Sequence, residues 1–153
     1  MVAGRKYHVL LVDDSEDVVR TMNAMLERLD YTAEGETDTL AGLRTFSQDP
    51  DKFDIAIVEP TMAGQERPKL APLGSMRRGT PVTNELTGME LARRFRRIRE
   101  GFPVILYTGH NEPVLAEEIR TAGFAQIIPK PFGLKELDKA VREGLHSYFP
   151  RDH

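Results

Sequence analysis

Four apolar runs of this chain end in polar residues that could act together. The run at 7–12 leads into Asp13 and Asp14, the run Ile55, Ala56, Ile57, Val58 into Glu59, and the run at 104–107 into Thr108; Lys130 closely follows a fourth run at 126–128. Three carboxylates, a hydroxyl and an ammonium are the ingredients of a site for a hard cation or an anionic group. Brought together, the acids repel one another unless a cation or the lysine offsets them, and otherwise at least one holds its proton more tightly. The chain has no cysteine, so any metal must rest on oxygen or imidazole ligands. Each residue also has a plainer reading: Asp14 and Ser15 as helix caps, Thr108 with Gly109 as a turn, and Lys130 as a solvated charge beside a proline loop.

The elements that would position these residues alternate between two periods. Residues 7–12 read as a buried strand, broken only by His8, and Ser15 can cap a helix whose Val18, Val19, Met22, Met25, Leu26 and Leu29 recur at helical spacing. Residues 32–36 form a weak strand, 39–46 a short helix and Ile55–Val58 the central buried strand. Leu91, Ala92, Phe95 and Ile98 give one apolar face to an arginine-rich helix. Strands at 104–107 and 126–128 follow, with helices at 114–122 and along Leu134, Leu137, Val141 and Leu145. Five strands interleaved with five helices require a parallel sheet covered on both faces. In such a sheet, ligands gather outside the carboxyl ends of the strands, where Asp13, Asp14, Glu59, Thr108 and Lys130 are expected to converge.

A length of 153 residues, 40% hydrophobic and 29% charged, suits one domain with a real core, so residues 1–153 are expected to form a single unit. No apolar run approaches the roughly 18 residues that span a bilayer, and the start turns acidic before a signal-peptide core could form, so a cytoplasmic location without membrane contact is expected. The net charge of -3 hides an asymmetry. Residues 67–99 carry Arg67, Lys69, Arg77, Arg78, Arg93, Arg94, Arg96, Arg97 and Arg99 against Glu85 and Glu90. His8, His110, His146 and His153 show no zinc spacing.

The successive motifs LLVDDSE, DIAIVEPTM, LTGMELARRFRRIR, PVILYTGHNE and IIPKPF resemble, in that order, those of the receiver domain of bacterial two-component systems, from about residue 7 to 148. The TG after the fourth strand and the MELARR helix look most like receivers of hybrid sensor kinases. The resemblance implies a flavodoxin-like (βα)5 three-layer sandwich with a parallel five-stranded sheet in the order 2-1-3-4-5. It implies a signalling module and not an enzyme. It also implies roles: magnesium held by Asp13, Asp14, Glu59 and the Thr61 carbonyl, a phosphoacceptor position at Glu59, and phosphoryl binding and switching by Thr108 and Lys130. Magnesium favours a few carboxylates with waters and a phosphate, and lysine and ion together would offset the crowded acids. A phosphatase-like use of Asp13 is disfavoured, because the double-Asp turn lacks the DxD spacing.

Against that pattern, Glu59 stands where the family places an aspartate. The extra methylene moves the carboxylate by roughly 1.5 Å, and a reacting group misplaced by about 1 Å loses on the order of a hundredfold in rate. Phosphorylation is therefore expected to be poor or absent, giving a pseudo-receiver fixed toward one signalling state, with Glu59 a partial mimic of the phosphoryl charge. The alternatives are that Glu59 preserves a metal site or pairs with Lys130, the latter weakening or removing magnesium binding, or that the chain is a phosphorylatable magnesium-dependent receiver.

Residues 63–85, AGQERPKLAPLGSMRRGTPVTNE, form an insertion between the third strand and third helix, read as a basic loop rich in proline and glycine. It could restrict a partner, join the arginines of the next helix as a surface for acidic partners or nucleic acid, or be a tolerated addition. Nucleic acid is disfavoured, since no recognised DNA-binding motif accompanies the arginines and few aromatics interleave them. The expected partners are histidine kinase or hybrid kinase domains and other signalling proteins, with a homodimer left open. Ile127 stands where many receivers carry a switch aromatic, so coupling through a rotating ring is not expected there. The last helix ends within a few residues of His153, so no output domain is expected to follow.

Overall fold

The computed structural model describes residues 6–60, 86–108, 126–129 and 133–148. In chain order its elements are β1 (His8–Val12), α1 (Glu16–Arg28), β2 (Thr32–Glu36), α2 (Thr39–Gln48), a 3-10 turn (Pro50–Lys52), β3 (Ile55–Val58), α3 (Gly88–Ile98), β4 (Val104–Thr108), β5 (Gln126–Pro129) and α4 (Leu134–Tyr148). All strand pairs are parallel, and the sheet runs β2-β1-β3-β4-β5. The helix read at 114–122 and the insertion at 63–85 lie outside the described residues.

Strand alternation divides the core into two. Leu10, Val12, Ala56, Val58, Val104 and Leu106 join Phe46 of α2 and Leu91, Ala92 and Phe95 of α3 in one buried cluster. Val9, Leu11, Ile55, Ile57, Ile105, Tyr107 and Ile128 join Met22 and Leu26 of α1 and Leu137, Val141 and Leu145 of α4 in the other. The central strands are thus apolar on both faces, the pattern that helix-covered parallel sheets demand. In the first cluster Phe46 is the hub: its ring lies 4.5 Å from that of Phe95 and 4.8 Å from that of Phe102.

Each described helix entry near the site is fixed by a side chain. Ser15 Oγ accepts from the Val18 N–H at 3.3 Å at the start of α1, as the sequence suggested. Asp38 and Thr87 do the same for α2 and α3, accepting from the N–H groups of Ala41 at 3.0 Å and Glu90 at 3.1 Å. His8 lies at the other end of β1 from Asp13, where its ring contacts Thr32 Oγ1 at 2.6 Å and Glu34 Oε2 at 2.9 Å. That network accounts for a polar residue inside an otherwise apolar strand.

Candidate functional site

The register of the sheet builds the site. Val12 is level with Val58, and Val58 with Leu106, so the residues that follow emerge at one edge. The ladder continues one step past the strands: the Glu59 N–H donates to the Val12 carbonyl at 3.0 Å, and the Asp13 N–H to the Glu36 carbonyl at 3.1 Å. Asp13 and Glu59 are therefore held by their backbones on adjacent strands. Both are buried, at 3% and 7% exposure, whereas Asp14 is exposed. Adjacent residues leaving a strand face opposite ways, so the acidic pair divides between interior and solvent.

Thr108 ends β4 level with Pro129 of β5. Thr61 and Lys130 lie outside the described residues. The structure thus brings together Asp13 and Glu59, places the Thr108 backbone on the same edge, and puts Asp14 beside them on the outside.

Sequence reasoning missed Tyr107. It is 1% exposed, and its hydroxyl donates a hydrogen bond to Asp13 Oδ2. The other oxygen, Asp13 Oδ1, accepts from the Ser15 N–H at 2.8 Å and so ties the acid to the entry of α1. Burial pushes the Tyr107 phenol well above its ordinary range, followed by the hydrogen bond and charge of Asp13 and then the charges of Glu59 and Asp14. The hydroxyl is accordingly a donor at any physiological pH, sitting in the field of three acids. A tyrosine within an apolar strand reads as core; the available signal was alternation, which puts 9, 11 and 13, 55, 57 and 59, and 105 and 107 on one face.

The N-terminus of α3 presses on the same edge. The Met89 N–H donates to the Pro60 carbonyl at 3.2 Å, and a Cβ at Gly88 would fall 1.9 Å from the Glu59 carbonyl oxygen. Only glycine allows the helix to approach the Glu59 backbone so closely.

The resemblance implies magnesium at this edge. Carboxylate oxygens are the right chemistry for a hard ion. Yet both oxygens of Asp13 accept from protein donors, and no grouping of three acid or imidazole side chains suited to an ion occurs among the described residues. The described part of the site does not fit a three-carboxylate ion cage.

Two acceptor groups meet the arginines of α3, the Glu90 carboxylate on the outer face and backbone carbonyls at its end. Glu90 lies 3.5 Å from Arg93, 3.4 Å from Arg94 and 4.0 Å from Arg97. Arg99 donates to the carbonyls of Pro50 at 2.7 Å and Phe53 at 2.6 Å, and its guanidinium lies 5.1 Å from the centre of the Phe102 ring. Arg99 therefore fastens α3 to the turn before β3. No helix among the described residues is long and apolar enough to cross a membrane.

Residues 83–142 match the family model of the response regulator receiver domain. Among curated proteins, the chain is 23% identical over 143 residues to the transcriptional regulatory protein GlrR of Escherichia coli K12, a match covering 94% of this chain and 27% of that protein. The chain thus spans about a quarter of the length of that relative. Among solved structures, a receiver domain protein from Clostridium thermocellum superposes with a TM-score of 0.71 at 21% identity, covering 92% of this chain and 94% of the other. A CheY-like receiver domain protein from Methanospirillum hungatei JF-1 gives 0.71 at 20% identity, covering 95% and 98%.

Proposed function

We propose, from the premise that this chain has the fold of a response regulator receiver domain and matches that family's model over 83–142, that it serves two-component signalling as an atypical receiver. Glu59 takes the phosphoacceptor position, and the output is made through protein contacts without covalent phosphorylation. The observation that carries this reading is Glu59 itself, buried at the end of β3 and fixed by its N–H to the strand that bears Asp13. A longer side chain on so rigid a backbone sets its carboxylate past the place from which an aspartate would attack.

In this reading Thr108 and Lys130 contribute the hydroxyl and ammonium that would meet a phosphoryl group, and Asp13, Asp14, Glu59 and the Thr61 carbonyl would hold magnesium only weakly. The module binds and signals, with no turnover of its own. Its partners are histidine kinase or hybrid kinase domains and related signalling proteins in the cytoplasm.

Incubation with acetyl phosphate and magnesium, read by intact mass under mild acid, tests the reading. The expected result is an unmodified chain. A labile gain of about 80 Da mapped to Glu59 overturns it and establishes a phosphorylatable, magnesium-dependent receiver.

A further inference from the structure

We propose that the Tyr107 hydroxyl takes, at Asp13, the place that a divalent cation would take in a receiver pocket, so that a side chain of the protein, and not an ion, fixes this acid. The inference deepens the receiver reading and rests on it for the choice of ion. Its geometry is independent of Glu59.

The two oxygens of Asp13 divide their work. Oδ1 accepts from the Ser15 N–H at 2.8 Å, which sets the carboxylate against the start of α1. Oδ2 accepts from the Tyr107 hydroxyl. Both partners are rigid: the Ser15 N–H belongs to the N-cap residue of α1, and Tyr107 is a fully buried side chain on β4. The bond crosses from β4 to the end of β1, two strands with β3 between them. A hydrogen bond from a neutral hydroxyl to a carboxylate is among the stronger kinds, and it disperses part of the negative charge where three acids lie near one another.

The phenol occupies one acceptor site of Oδ2 and is packed in the cluster that includes Ile105 and Ile128, so an ion approaching Asp13 through that oxygen must crowd the phenol or displace it. Ion binding and the phenol bond are therefore competitors. Removing the hydroxyl while keeping the ring takes away that competitor, so ion affinity should rise by on the order of ten- to a hundredfold, the equivalent of one such buried bond. Tyr107 is a positioning residue in this account; it acts through Asp13.

The test is calorimetric titration of the full chain with manganese and with magnesium, comparing wild type with Tyr107→Phe and with Tyr107→Phe/Asp13→Asn. The expected result is weak binding by wild type, a gain of at least about tenfold in Tyr107→Phe and loss of that gain in the double variant. Equal or weaker binding by Tyr107→Phe overturns the proposal, as does a gain that survives Asp13→Asn. Should Tyr107→Phe fail to fold, thermal unfolding of wild type decides. A Tm within about 1 °C with and without about 10 mM magnesium supports the proposal, and a rise of several degrees overturns it. Failure of the non-phosphorylated reading would register separately, as the phosphoryl adduct on Glu59.

Discussion

At the scale of single residues, Glu59 and Tyr107 bear on neighbouring atoms from two strands. Glu59 differs from an aspartate by one methylene, and its backbone is pinned at 3.0 Å to Val12, so the side chain and not the strand decides where its oxygens lie. Glu59→Asp draws the carboxylate back by roughly 1.5 Å and is expected to acquire a labile phosphoryl adduct with acetyl phosphate and magnesium. If Tyr107 holds Asp13 from the ion, the adduct in Glu59→Asp should form slowly, and Glu59→Asp/Tyr107→Phe should form it faster. Intact-mass time courses of the three proteins check both steps. No adduct in either variant would mean that the acid's length is not what withholds the chemistry.

At the scale of elements, α3 governs how far the Glu59 turn can move. A methyl group at Gly88 would fall 1.9 Å from the Glu59 carbonyl oxygen and 2.9 Å from Pro60 Cα, both backbone, so neither neighbour can yield by rotating. Gly88→Ala is expected to destabilise the fold by about 2–4 kcal/mol in urea unfolding, despite alanine's better helix propensity. A stabilised Gly88→Ala would show that α3 does not rest on that turn. Much of this layer was legible: 32–36 and 55–58 read as strands and are strands with those bounds, because short apolar or β-prone runs end there in charges and turn residues. The helix read over 39–46 runs on to Gln48, since Ser47 and Gln48 carry no apolar period to reveal them. Asp13 and Glu59 were legible as strand-end acids. The Tyr107 contact was not, because it depends on which strands are neighbours and at what register, and neither is written in local pattern. The burial of Asp13 but not Asp14 has the same origin.

At the scale of the whole molecule, one contact joins an early and a late part of the chain. Tyr31 follows α1, and its hydroxyl donates to Asp138 Oδ1 of α4 at 3.3 Å, across 107 positions of sequence. Its ring belongs to the cluster that α1 and α4 share on one face of the sheet. Burial, then the charge of Asp138 and the hydrogen bond to it, push the phenol up from 10.0 to about 12. In the interval between, the unfolded chain has released this proton and the folded chain still holds it. The contribution to stability is therefore complete below pH 10 and is lost as pH rises toward 12. Tyr31→Phe should cost about 0.5–1 kcal/mol at neutral pH, for a single long hydrogen bond. It should then lose less stability than wild type between pH 9 and 11, because its ring has no proton to release. Urea midpoints of both proteins across that range make the comparison. Parallel curves would mean that the Tyr31 proton is not what couples α1 to α4, and that apolar packing alone joins the two helices.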